Sequence, residues 1–284
     1  MNKFTVTGLA LAFAVVGHAQ VFSNNGGTGD NFTNAGGSNQ GQLVGTTGWA
    51  YNNVRNNGSV GISTANPYNG NGSVRFEGTQ GPGGSSSKSD IEYLVNPVAS
   101  GGNYFSTGSL GKLNDLVGMS YRYYRDSSST NDPGQMVAAR ILIDADGDLN
   151  TTGDRGGLVW ELAYNGGGAA PLDQWVLMGL GGNTNVWNFG AGMATATGGY
   201  NVTLNQWKAG NGTVNGNSAI IGFSYGVGSG WGPNLMFLDD AAWQLDNGIT
   251  NQTTSSNFEV VPEPMTMTVL ALAAFVAKRK RKQK

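Results

Sequence analysis

The stretch "LVGMSYRYYR", Leu116–Arg125, carries the clearest secondary-structure pattern in the chain. Successive side chains of a β-strand point to opposite faces, so Met119, Tyr121 and Tyr123 would share one face of such a strand. Arg122 would lie on the other face. The alternation therefore predicts a β-strand.

Further short runs have the same character, because they are rich in β-branched and aromatic residues and are bounded by Gly, Asn or Asp. They are "SVRFEG", "DIEYLV", "MVAARILID", "GLVWELAY", "QWVLMGL", "NVWNFGAG", "YNVTLNQWKA", "AIIGFSYGV", "LMFLDD" and "AAWQLDN". Neither a long amphipathic helix before Pro262 nor a repeat of fixed period is found. We expect an all-β fold, a two-sheet antiparallel sandwich that is jelly-roll-like.

Two Gly-rich segments look like connections rather than strands. Residues 21–68 are rich in Gly and Asn and read as a lead-in to the sandwich. "GPGGSSSKS", Gly81–Ser89, lacks the lysine placement and the following helix of a phosphate-binding loop. We interpret it as a flexible connection.

The charge is divided unevenly along the chain. The 284 residues include 47 Gly, and only 12% are charged. The segment Gln20–Val261 carries 17 acidic and 9 basic residues, whereas the last seven residues hold six basic ones. An acidic body would be repelled by phosphates, so nucleic acid is not an expected partner.

The N-terminus has the pattern of a secretory signal peptide. Lys3 precedes an apolar run, and small residues at Gly17 and Ala19 follow it. We expect signal peptidase to cleave after Ala19, which makes residues 1–19 the signal peptide. Cleavage would remove His18, the one histidine of a chain that has no cysteine. Sites built on His or Cys, including Ser-His triads and zinc sites, are thereby excluded.

The C-terminus consists of three blocks. Pro262, Glu263 and Pro264 precede thirteen mostly apolar residues, 265–277. As a helix this run would be about 20 Å long, shorter than the roughly 30 Å of a bilayer core. The basic tail would stay in the cytoplasm; its six residues are Lys278, Arg279, Lys280, Arg281, Lys282 and Lys284. A single transmembrane helix that holds the protein only transiently in the inner membrane is expected.

These blocks resemble the PEP-CTERM protein-sorting signal of Gram-negative bacteria. The resemblance covers about the last two dozen residues, within 259–284, and the apolar run has few leucines. It implies recognition by a membrane exosortase, cleavage near Pro-Glu-Pro, and delivery to the cell surface or extracellular matrix, often beside exopolysaccharide production. An ordinary C-terminal membrane anchor is the alternative. The body, 20–258, also loosely resembles the Gly/Asn-rich sandwich domains attached to such signals.

An acidic loop, "IDADGDLNTTGDRG", is the strongest metal-binding pattern. Asp144, Asp146, Asp148 and Asn150 occupy the first, third, fifth and seventh positions of an EF-hand-like loop. Alternate oxygen ligands of this kind bind Ca²⁺, the one cofactor that the sequence suggests.

The later positions of the loop depart from that pattern. Leu149 stands where Gly is wanted, and Arg155 stands where a bidentate carboxylate is wanted. Asp154 or Glu161 are the acidic residues that could compensate. The alternative is an Asp/Gly-rich turn without a metal.

Asp90 and Glu92 are the best pair of carboxylates for catalysis. On a strand they would point to the same face, roughly 6 to 7 Å apart, and glycosidases use two carboxylates at about that range. The fuller glutamate–aspartate–glutamate motif of laminarinase-like glucanases is absent. A polar strand face is the alternative.

Seven tryptophans could provide stacking surfaces for sugar rings. Trp160 and Trp175 lie in apolar runs and are expected in the core. Four others are near Gly or Asn and are the platform candidates, namely Trp49, Trp187, Trp207 and Trp231.

We interpret the chain as an exported, surface-sorted and non-catalytic β-sandwich that associates with extracellular matrix or exopolysaccharide. One alternative is a glycan-active hydrolase that uses Asp90 and Glu92. The other is a purely structural matrix component.

Overall fold

The computed structural model describes residues 19–79, 87–190, 193, 199–228 and 232–262. The strands of this part are β1 (Ala19–Phe22), β2 (Phe32–Asn34), β3 (Gln40–Leu43), β4 (Trp49–Arg55), β5 (Gly58–Ser63), β6 (Ser73–Gly78), β7 (Lys88–Leu94), β8 (Val98–Ser100), β9 (Asn103–Phe105), β10 (Gly111–Lys112), β11 (Leu116–Arg125), β12 (Ala138–Asp144), β13 (Arg155–Trp160), β14 (Trp175–Leu180), β15 (Trp187–Phe189), β16 (Ala219–Val227), β17 (Asn234–Asp246) and β18 (Asn251–Glu259). Its helices are α1 (Leu204–Ala209) and three 3-10 turns, Leu113–Asp115, Leu162–Tyr164 and Gly199–Asn201.

The strands form two eight-stranded sheets and the separate hairpin β8–β9. In sheet A, β17 pairs with β11 along one edge and with β6 and β18 along the other, and β11 continues to β14. Sheet A ends at β2 and β1 on the far side. Sheet B has the order β15-β13-β12-β16-β7-β4-β3, with β10 beside β16. The pairings are antiparallel except for β1 with β18. The predicted all-β sandwich is confirmed, and jelly-roll connectivity stays a prediction.

Aromatic side chains from the two sheets meet in one core. Trp49 of sheet B contacts Phe258 of sheet A, with ring centroids 5.1 Å apart. Phe223 of sheet B stacks on Trp243 of sheet A at 4.6 Å. All four rings are buried. Aromatic contacts of this kind add to the free energy from buried area and fix how the sheets sit on each other.

The stretch Leu116–Arg125 forms β11 with the predicted ends. Met119, Tyr121 and Tyr123 are buried, as the alternation predicts, whereas Arg122 is half-buried on the outer face. The hydroxyl of Tyr121 donates to the carbonyl of Val137 at 2.6 Å. This bond satisfies the polar end of a ring that lies wholly in the core.

The prediction of a strand at "YNVTLNQWKA" is wrong. That segment forms the 3-10 turn Gly199–Asn201 and then α1. Thr203 caps the helix by accepting the backbone N–H of Gln206, and the Gln206 side chain accepts the N–H of Thr203. This reciprocal capping satisfies two N–H groups that a helix start leaves free.

Two further expectations need correction. "LMFLDD" and "AAWQLDN" form one strand, β17, because a bulge at Asp240 (φ 51°) lets the ladder continue past the break. The lead-in, residues 21–68, contains β2 to β5 rather than a plain connection.

Both ends of the sandwich lie close to the predicted processing sites. β1 begins at Ala19, and Val21 is its buried residue. β18 ends at Glu259 and Val260 is buried, so the fold continues slightly past residue 258. Ala19, the last residue of the predicted signal peptide 1–19, is the first residue of β1. Residues 1–18, Glu263, Pro264, the apolar run and the basic tail lie outside the described residues. No helix among the described residues is long and apolar enough to cross a membrane.

Candidate functional site

The outer face of sheet B carries an unusual row of polar side chains. Arg140 on β12 pairs in register with Ser224 on β16, and Ser224 pairs with Glu92 on β7. Ala139 and Ile141, the flanking β12 positions, point into the core. Because side chains alternate along each strand, the three polar residues all point away from the core.

Asp90 is the centre of a buried charge network on this face. Its side chain is fully buried, and one oxygen accepts from Arg140 at 2.8 Å. The other oxygen accepts from Lys88 at 3.0 Å and from the Asn53 amide at 3.0 Å. Two cations and one amide therefore supply the partners that a buried carboxylate needs to offset its loss of hydration.

Glu92 lies beside Asp90 and is also buried. It accepts from the side chains of Asn52 at 2.6 Å and Asn53 at 3.0 Å. Burial raises the pKa of Glu92, and the charge of Asp90 raises it further. Asn52 in turn holds the backbone of Tyr104 on the β8–β9 hairpin. The predicted pair thus shares a face, but both carboxylates are held by amides and cations beside this hairpin.

A cleft opens next to the network. Its volume is about 260 Å³, and Glu161, Trp187 and Phe189 line it together with Lys88 and Arg140. The Trp187 ring N–H donates to Glu161 at 3.1 Å, which fixes the orientation of the ring. Burial raises the pKa of Glu161. A second cavity of about 100 Å³ is also lined by Glu161, together with Met136 and Tyr164.

Two exposed tyrosine rings lie next to the Trp187 ring of the cleft. Tyr200 is 51% exposed and lies 5.7 Å from Trp187, measured between ring centroids. Tyr164 is 36% exposed and lies 4.5 Å from Tyr200. Phe189 adds a fourth partly exposed ring. The cleft therefore combines stacking surfaces with a few fixed polar groups, as carbohydrate sites require.

The tryptophan predictions have mixed outcomes. Trp187 lines the cleft, but Trp49 and Trp207 are buried and are not platforms. Trp160 is in the core as predicted, whereas Trp175 is half-buried on the outer face of sheet A, beside other aromatic rings. Trp231 lies outside the described residues.

Sequence reasoning missed the tyrosines and the cations of the cleft. Tyr164 and Tyr200 lie in 3-10 turns, and Arg140 comes from β12. These residues are distant in sequence and meet only through strand register. No local pattern distinguishes them from surface residues.

The acidic loop follows β12. Asp144, Asp146 and Asp154 each offer an oxygen within 4.8 Å of the others. Asp148 is turned to its own loop, where it accepts the backbone and side-chain N–H groups of Asn150 at 3.1 and 2.8 Å. Among the described residues, the structure therefore groups two of the four predicted ligands and adds one of the two compensating residues.

Arg155 supplies a cation inside this loop. Its guanidinium donates to Asp144 at 2.9 Å and to the carbonyls of Leu149 at 3.0 Å and Ser106 at 2.9 Å. One carboxylate and two carbonyls are an oxygen set that would also suit a metal ion. Arg155, which departs from the EF-hand pattern, thus holds the loop in place through these three hydrogen bonds.

No protein-family model matches the chain, and no curated protein matches it.

Proposed function

We propose that this chain is an exported, surface-sorted and non-catalytic jelly-roll-like sandwich that binds polysaccharide in the cleft of sheet B. The observation that carries the proposal is the cleft itself, where Trp187 is oriented by Glu161 and lies beside the exposed ring of Tyr200.

The chemistry of the cleft fits sugars better than other ligands. Aromatic faces pack against the apolar C–H faces of pyranose rings, and charged groups at the edge accept or donate hydrogen bonds to hydroxyls. Lys88, Arg140 and Glu161 lie at that edge. The acidic body disfavours nucleic acid.

A binding role is favoured over hydrolysis by the state of the carboxylate pair. Asp90 is paired with Arg140 and Lys88, and Glu92 is held by two asparagine amides. A general acid or a nucleophile must reach the glycosidic bond. Buried carboxylates with these partners would first have to give up several hydrogen bonds.

The proposal that the protein is sorted to the cell surface rests on the order of the C-terminal blocks. The last strand ends at Glu259, three residues before Pro262. A processing enzyme at the outer surface of the inner membrane would therefore meet Pro-Glu-Pro directly after the folded body. Exosortase and signal peptidase are the proposed partners during export.

A glycan array combined with a hydrolysis assay, both with the full-length chain, tests the proposal that the protein binds polysaccharide without cleaving it. Binding without release of products supports the proposal. Release of products that stops in Asp90→Asn or Glu92→Gln, with each variant shown to be folded by circular dichroism, would establish the hydrolase alternative. Neither binding nor turnover would favour a purely structural matrix component.

Two tail variants test the sorting proposal. Replacing the six basic residues after Ala277 by neutral ones removes the charge that opposes translocation, so the protein should pass through unprocessed. Changing Pro262 and Pro264 to Ala lets the apolar helix extend upstream, so that variant should stay in the membrane uncleaved. Mass spectrometry of the C-terminus and membrane fractionation distinguish these outcomes. If the wild-type protein stays in the membrane fraction with Lys284 still present, the C-terminal segment is an ordinary membrane anchor instead.

A further inference from the structure

The edge strand β14 is unprotected in the part of the chain that the structure describes. It pairs there with β11 and with no other strand, so the backbone groups on its free side lack strand partners. None of its residues, Trp175–Leu180, is charged or proline. Natural edge strands are normally blocked by charge, proline or shortness, because a free edge is a template for another strand.

The other described edge strands differ from β14 in length. β14 has six residues, and the others have two to four. The side chain of Leu177, at the middle of β14, is 57% exposed on the outer face of sheet A. This combination makes β14 the strongest pairing surface among the described edges.

The side chains of β14 are complementary to a second copy of the same strand. In an antiparallel pair centred on Leu177, each Leu177 faces its copy and Trp175 faces Gly179 of the other strand. A Cβ at Gly179 would meet no atom within 4 Å, so there is open space where that ring would pack. Val176 would face Met178 in the same register. The large ring of Trp175 thus opposes glycine, Val176 opposes the flexible Met178, and the two leucines make an apolar contact at the centre.

We propose that two copies of this chain associate through β14, in an antiparallel and two-fold symmetric manner, so that sheet A continues from one copy into the other. The two-fold axis is perpendicular to the sheets, so the outer faces of both copies of sheet B point to the same side. If the proposed function also holds, a dimer presents two clefts to one polysaccharide chain and gains affinity by avidity. The association itself does not depend on glycan binding.

A matched pair of lysine variants tests the association by sedimentation velocity of the full-length chain. Leu177→Lys places two like charges opposite each other at the centre of the pair, and the dimer should be lost. Ile249→Lys adds the same charge at a residue that is 92% exposed in the turn after β17, and the dimer should persist. Both variants keep the apolar C-terminus, so a difference between them reports on β14.

Cysteine variants test the register, because the chain has no cysteine of its own. Residues directly opposite across antiparallel strands have Cβ atoms about 5 Å apart, close to disulfide range. Leu177→Cys should form a disulfide-linked dimer on oxidation, and Ile249→Cys should not. A wild-type monomer at every concentration, or equal cross-linking at both positions, would overturn the proposal.

Discussion

Removal of the Asp90 carboxylate should strongly destabilise the fold. In Asp90→Ala, Arg140 and Lys88 lose a partner at 2.8 and 3.0 Å, and their side chains are only 6% and 17% exposed. Breaking a buried ion pair by removing one member typically costs about 3–5 kcal/mol of unfolding free energy. Burial already lowers the pKa of Lys88, and Asp90 opposes that shift. We therefore expect Asp90→Ala to lose about 3 kcal/mol or more.

Glu77→Ala is the matched control. The Arg75–Glu77 pair is also an ion pair, but its side chains are 27% and 37% exposed. Exposed pairs of this kind contribute about 0–1 kcal/mol, so the control should remain close to the wild type.

Urea denaturation followed by tryptophan fluorescence measures both variants. With a slope of about 1–3 kcal/mol per molar urea, a loss of 3 kcal/mol lowers the midpoint by about 1 M or more. If Asp90→Ala changes the midpoint no more than Glu77→Ala does, the network is not structural. The carboxylates would then be free for catalysis, and the non-catalytic reading would lose its main support.

Three further outcomes follow from the structure. Burial raises the pKa of Asp239 to about 7 although three backbone N–H groups oppose the rise, so the native state keeps a proton that the unfolded state releases near pH 3.8. The free energy of unfolding should therefore fall between about pH 4 and 7, by at most about 4 kcal/mol, and Asp239→Asn should flatten this dependence in urea titrations at several pH values. If Ca²⁺ binds the acidic loop, millimolar calcium should raise the melting temperature. Asp154→Ala should abolish this rise, whereas Asp148→Ala should keep it. An unchanged melting temperature of the wild type would show that the loop does not bind calcium. Thr203→Ala removes the cap of α1 and should lower the free energy of unfolding, measured by urea denaturation, by about 1 kcal/mol. Thr203→Ser keeps the hydroxyl and should lower it little. Equal decreases in the two variants would show that the cap hydroxyl is unimportant.

The strands with strong apolar or alternating patterns could be predicted from sequence. β6, β11 and β16 have the predicted ends, because each is a run rich in β-branched and aromatic residues, the signal from which the strands were predicted. The strands of the lead-in were missed because their glycines resemble loop residues. Gly58 and Gly61 are needed there because a Cβ would lie 2.1 Å from the carbonyl of Lys88 and 2.2 Å from that of Asp30. Close packing of neighbouring backbones leaves no trace in a single sequence.

The sequence around α1 carries a local helix signal. Thr203 and Gln206 have the spacing of a capping box, and Leu204 and Trp207 have helical spacing, both being buried. The segment was predicted as a strand because its aromatic and β-branched residues also favour strands. The cleft could be predicted only through Trp187, since Lys88, Arg140, Glu161 and Tyr200 come from four other segments.

Affinity for polysaccharide, measured with and without the rings of the cleft, tests the central claim most directly. Soluble polysaccharide extracted from cultures of the producing organism would be titrated into the full-length chain by calorimetry. Trp187→Ala and Tyr200→Ala should each weaken binding about tenfold, which corresponds to about 1.4 kcal/mol per ring. Phe22→Ala, which removes a 39% exposed ring from β1 in sheet A, should leave the dissociation constant unchanged. Equal affinities for the wild type and all three variants would contradict the assignment of this cleft as the polysaccharide site.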